Sequence, residues 1–230
     1  MPTDNSLSGS TSVSFTATAV GSTRANLSVT HLLAAALFSR TAGQLEAEHA
    51  GEKFSDFWED TQSNVIACIF TTVAGLEAFA NELFVDGAEV FPDVRHEVMV
   101  KLWELYEQKA TLEKYDFAAL LRGSVAPNRG LSPRQDVAAL IKLRNALIHF
   151  KPEWTHQQLE HAKASTALLN RAVRSPFFPQ TEPLFPRSWA SHGSARWAVA
   201  STVSFLVEFE EATALERSRI APFVERLREL

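Results

Sequence analysis

The sequence predicts a mainly α fold, an antiparallel helical bundle over residues 31–230, preceded over residues 1–30 by a Ser/Thr-rich extended arm or small β-hairpin. Three observations carry this reading. Apolar residues recur with a helical period from Thr30 onward. Turn and stop residues interrupt that pattern at Gly51, Asp86-Gly87 and Lys151-Pro152. Period-two alternation is confined to the N-terminus, where Val13, Phe15, Ala17 and Ala19 alternate with Ser and Thr before a turn at Gly21-Ser22 and a second strand around Asn26-Leu27-Ser28-Val29.

Each helix follows from its own signals. Thr30 can cap a first helix that carries Leu32, Leu33, Ala36 and Leu37 and runs to about Ala50. A long helix covers roughly Ser55 to Val85 and stops at Asp86-Gly87. Pro92 opens the next, with Val98, Leu102, Leu105 and Tyr106 on its inner side. A shorter piece surrounds Phe117 to Leu121. Ser132-Pro133 starts a helix that ends at Phe150, before Lys151-Pro152. Thr155 caps another that reaches about Val173, with Leu159, Leu168 and Leu169 facing inward. SPFFPQTEPLFP is an aromatic, proline-rich loop that drapes over the bundle, and a last long helix spans about Ser194 to Leu215, followed by a short one near Glu225.

Composition narrows the function. The formal charge of −5 argues against a broad basic face coating duplex DNA, while leaving room for a small basic pocket that takes a short piece of RNA. Cys68 is the one cysteine, so an intrachain disulfide and a cysteine-based zinc site are both excluded. The early apolar run Leu32–Phe38 lacks the basic start of a signal peptide, and no segment reaches the ~20 apolar residues expected of a membrane span. The expectation is a cytoplasmic protein with no membrane partner. Neither a glycine-rich phosphate loop nor a nucleophile elbow is present, and His156 and His161 have a poor spacing for metal ligands, so no metal or other cofactor is expected.

The chemistry, if any, concentrates in LIKLRNALIHFKPEW. At about 100° per residue, Val137, Leu140, Ile141, Leu143, Leu147, Ile148 and Phe150 share one broad arc, and Arg144 falls in its middle. Asn145 and His149 are four residues apart and stack at the flank of the arc, with Lys142 close by. An arginine in an apolar arc needs a carboxylate, because an uncompensated buried charge is costly. On the long helix GLEAFANELF, Glu77 falls among the buried positions, Asn81 follows one turn later and Glu82 points to the far side. Glu77 is therefore the expected partner of Arg144, with Asn81 as a third member. Arginine can hold a phosphate, histidine can move a proton, and asparagine can orient a hydroxyl. The same residues also suit plainer roles, an inter-helix ion pair for Glu77–Arg144 and a C-terminal cap for His149.

RNALIH, Arg144 to His149, resembles the R-x4-6-H motif of HEPN domains, with Asn145 where that family often has a polar residue after the arginine. LEAFANELF is similar to the helix that packs against the motif helix, and the resemblance covers about residues 56–173, half the chain. It implies a homodimer in which two motif helices face each other. It also implies a metal-independent endoribonuclease, often a toxin or defence protein with a protein antitoxin, that cuts RNA through 2′-hydroxyl attack and leaves a cyclic phosphate. Carried onto this sequence, Arg144 and His149 are catalytic and Asn145 supports them. Glu77 and Asn81 stand beside them on the wheel argument, and Lys142 and Lys151, with Arg122, Arg129 and Arg134, are the nearest cations for RNA. Other relatives are non-catalytic modules that bind RNA, a nucleotide or a protein partner, and that alternative stays open.

Overall fold

The computed structural model describes residues 24–52, 55–154, 156–157 and 159–230. Its elements are helices: α1 (Ser28–Glu48), α2 (Phe57–Val85), α3 (Gly87–Val90), α4 (His96–Tyr106), α5 (Thr111–Leu121), α6 (Arg134–Ile148), α7 (Glu160–Leu168), α8 (His192–Ala212) and α9 (Val224–Arg228). No strand occurs among the described residues. The first half of the expected hairpin lies outside them. Its second half is corrected, because Ser28 already begins α1. The reason is a long-range cap: the Glu82 carboxylate accepts the backbone N–H groups of Leu27 and Ser28 at 2.8 and 2.9 Å and the Ser28 hydroxyl at 2.7 Å. These are donors that a helix start leaves unpaired.

The two long N-terminal helices are antiparallel. Leu27 and Ser28 meet Glu82 near the end of α2, while His49, just past α1, stacks on Phe57 at the start of α2 with ring centres 4.1 Å apart. Their axes come close at Gly75, where an added Cβ would lie 2.8 Å from Leu32 Cγ and 3.0 Å from the Ser28 carbonyl oxygen. α8 starts at the end of α1, with the His192 N–H donating to Glu46, and so runs antiparallel to α1 as well. Leu32 and Ala36 of α1, Ile69, Leu76 and Leu83 of α2, and Val199, Val203 and Leu206 of α8 are fully buried and form one core. Among the described residues α2 is the one helix long and apolar enough to cross a membrane, which the apolar-run count did not anticipate; half of that stretch is buried in the bundle.

α5 is held across the core by Tyr115. Its hydroxyl donates to the Leu76 carbonyl at 2.8 Å, and its ring sits edge-on to Phe205 and Phe209 of α8. Burial pushes the Tyr115 phenol well above its usual range, with Glu82 and Glu210 adding to the shift. α4 is a surface helix that turns Met99 inward, leaving Leu105 and Val98 exposed rather than buried as the sequence suggested. The expected cap Thr155 lies outside the described residues. α7 is shorter than expected, and Leu159 and Leu169 are exposed while His161 and Leu168 face inward. The proline-rich loop does pack on the bundle, burying Phe178, Leu184 and Phe185.

Candidate functional site

α6 packs against α2 on one side and α7 on the other, with α8 behind it. Its buried face is Val137, Leu140 and Leu143, to which Ala139 adds. Ile148 and Phe150, placed in the apolar arc by the helical wheel, are about half exposed, so the arc is narrower than the sequence suggests.

Arg144 lies at the edge of this face, on the α2 side. Its guanidinium is 3.8 Å from Glu77 Oε2, with the two side chains 24 % and 43 % exposed. The partner inferred from the wheel is thus the neighbour observed. The premise of deep burial is corrected, because α2 and α6 leave the end of this contact open to solvent. The Arg144 Nε is buried and has no hydrogen-bond partner among the described residues. Asn81 is engaged elsewhere: its Oδ1 accepts from Lys114 Nζ at 2.8 Å. Lys114 is a nearly fully buried lysine whose ammonium also lies 5.5 Å from the centre of the Trp103 ring.

His149 faces the other side. It caps the C-terminus of α6 and, with Lys142 and Lys151, lines a groove of about 430 Å³ between α6 and α7. Lys163, Glu160 and the buried His161 complete its polar lining, and Leu143, Leu168, Phe150 and Phe185 are among its apolar walls. Lys163 donates to Glu160 at 2.6 Å, which raises its pKa. Among the described residues no carboxylate pairs with Lys142 or Lys151. Asn145 is exposed and lines neither side.

The groove wall is fixed by the segment that follows α6. Glu153 accepts the N–H groups of Leu159, Glu160 and His161 at 3.0, 3.0 and 3.1 Å, and so caps α7 from the preceding loop. The Glu160 and His161 N–H groups hold the Glu153 carboxyl below its usual range. His161 Nε2 lies 2.9 Å from the Lys151 carbonyl oxygen, its Nδ1 is 3.9 Å from Glu153, and its ring lies nearly parallel to Phe150 and edge-on to Phe185. The sequence reading set His161 aside as a poor metal ligand. Its spacing to Ala164 and Leu168, one face of a helix, was the signal that it lines a packed wall.

Arg122, Arg129 and Arg134, the other cations named for RNA, are engaged elsewhere. Arg122 donates to the carbonyls of Val90, Thr213 and Ala214, tying the end of α5 to the end of α8. A more polar hollow of about 520 Å³ adjoins the groove at Lys142. There Arg129 and Arg134 share the Asp116 carboxylate, and Arg171 binds Asp136. Among the described residues no group of three His, Cys, Asp or Glu side chains is placed to hold a metal ion.

Within one chain, then, Lys142, His149 and Lys151 converge on one groove, while Arg144 and Glu77 sit around the helix from it. A separation of five residues turns the side chain by about 140° on a helix. No protein-family model matches the chain, and no curated protein or solved structure matches it.

Proposed function

We propose that the chain is a HEPN-like, metal-independent endoribonuclease that works as a homodimer, with RNA held at the α6–α7 groove. The observation that supports it best is the exposed His149 imidazole on the rim of a groove that carries Lys142 and Lys151, whose ammonium groups pair with no carboxylate among the described residues. In this reading the lysines hold the phosphodiester. The 2′-oxygen attacks phosphorus as the P–O5′ bond breaks, giving a cyclic phosphate and a 5′-hydroxyl. His149 moves the proton at the 2′- or 5′-oxygen. Arg144 of a second copy approaches the phosphate with its guanidinium steadied by Glu77, and Asn145, exposed between the two sides, orients a hydroxyl. Activity of this kind suits a toxin or defence protein, whose partner would be an antitoxin.

The test is cleavage of a fluorophore-labelled RNA in the presence of EDTA. His149→Ala is expected to lower the rate by about 100-fold or more, the usual weight of a proton-transfer group, with RNA affinity and melting temperature unchanged. The non-catalytic reading, a module that binds RNA, a nucleotide or a protein, is favoured by one observation: Arg144 and His149 point to different sides of α6. Intact protein that binds RNA through Lys142 and Lys151 but never cuts it would establish that reading instead.

A further inference from the structure

His161 brings more to the groove wall than packing requires. It is 4 % exposed, nearly parallel to Phe150 and edge-on to Phe185, and a phenyl ring would make the same contacts. A histidine adds two ring nitrogens, and burying polar atoms is unfavourable unless they find partners. One of them has a partner here. The Lys151 carbonyl oxygen, 2.9 Å from Nε2, can only accept, so Nε2 carries a proton and donates it. Nδ1 forms no hydrogen bond among the described residues and stands 3.9 Å from the Glu153 carboxylate.

Both nitrogens thus meet the short segment that leaves α6. The His149 N–H still donates to the Asn145 carbonyl, which closes the helix, and Pro152 has no N–H with which to continue it. Among the described residues, 150–153 make no backbone–backbone hydrogen bond of their own. Their polar ties run to the first turn of α7 instead. Glu153 accepts the N–H groups of Leu159, Glu160 and His161, and the Lys151 carbonyl accepts from the His161 ring. The second of these ties acts on the backbone of the very residue whose side chain lines the groove beside His149.

We propose that His161 is a positioning residue, whose hydrogen bond to the Lys151 carbonyl sets where Lys151 stands beside His149. It acts through Lys151 and touches no substrate itself. The consequence for RNA rests on the ribonuclease reading; the hold on the segment does not. In that reading Lys151 holds the phosphodiester, while His149 at the end of α6 moves the proton. Losing the bond therefore weakens the grip on RNA and leaves proton transfer in place.

Two replacements separate the bond from the packing. His161→Phe keeps a ring against Phe150 and Phe185 but removes the donor. His161→Gln gives up the ring, yet its amide N–H lies as many bonds from Cα as Nε2 and can donate to Lys151 again. In RNA cleavage with EDTA present, His161→Phe is expected to raise KM roughly tenfold with kcat nearly unchanged, about the weight of one hydrogen bond to a charged group. His161→Gln is expected to recover most of that loss. Lys151→Ala should raise KM by a similar factor, and His161→Phe should add nothing on that background, since the residue it acts through is gone. The role is overturned if the two effects multiply, if His161→Phe matches the parent, or if His161→Gln is no better than His161→Phe. Should the Gln chain fold poorly, the Lys151→Ala background decides alone.

Hydrogen exchange reads the same bond without cleavage. The amides of Leu159, Glu160 and His161 are protected while Glu153 stays over them. Against α2 amides as reference, His161→Phe is expected to speed their exchange about three- to tenfold, the weight of one hydrogen bond. Unchanged exchange overturns the positioning role even if the chain cuts RNA. Faster exchange in a chain whose parent cuts no RNA removes the ribonuclease and keeps the positioning role.

Discussion

At the scale of single residues, Arg144 shows how a wheel argument succeeds in direction and fails in depth. The angular position of Glu77 on α2 named the right neighbour, but a distance of 3.8 Å and partial exposure of both groups make this a loose pair. Such pairs contribute little, so Glu77→Gln is expected to cost less than about 1 kcal/mol in a urea unfolding experiment. A loss of several times that size would mean the pair is far tighter than its geometry. Asn81 teaches a related lesson. Its position beside Glu77 was legible, whereas its engagement by Lys114 depends on a helix more than thirty residues away in sequence. A wheel tells where a side chain points, not which distant residue has already taken it. His161 was missed for the same reason, since its role is set by Phe150, Phe185 and the Lys151 carbonyl rather than by spacing to another histidine.

At the scale of elements, the long helices were readable because period and punctuation agreed. α2 ends at Asp86-Gly87 and α6 just before Lys151-Pro152, as the stop signals require. The start of α1 was not readable, because its cap comes from Glu82 on another helix rather than from Thr30. The end of α2 has a second acidic anchor. Asp86 accepts hydrogen bonds from Arg24 and Arg219, the latter at 2.7 Å, and so holds the entry to α1 and the segment after α8 to one point. Burial pushes the Asp86 carboxyl up, but the hydrogen bonds and charges of the two arginines outweigh it, and the net shift is downward from 3.8. A carboxylate depressed in the folded state stabilises the fold fully above its unfolded value and loses that contribution as pH falls through the folded one. Melting temperatures measured from pH 7 down to about 3 should therefore fall less steeply in Arg219→Ala than in the parent chain, although the variant starts lower. Parallel curves would show that Asp86 carries no such linkage.

At the scale of the whole molecule, the proposed chemistry requires two chains, because one chain turns Arg144 and His149 apart. Subunit complementation tests this directly. Arg144→Ala and His149→Ala are each expected to be inactive, yet an equimolar mixture that exchanges subunits should regain about a quarter of the parent activity, since half of the dimers carry one complete site of two. No recovery, with exchange verified by sedimentation of the mixed species, would place both groups in the same chain's site. The fold class itself was legible from helical periodicity, whereas the groove was not. Every residue that lines it, however, comes from the single stretch between Ala139 and Phe185. Its walls are thus joined by short chain closures, and ordering them carries little of the loop entropy that distant contacts demand. In kinetic terms the lining residues can meet early, while the buried face of α6 is covered only when α2 and α8 close over it.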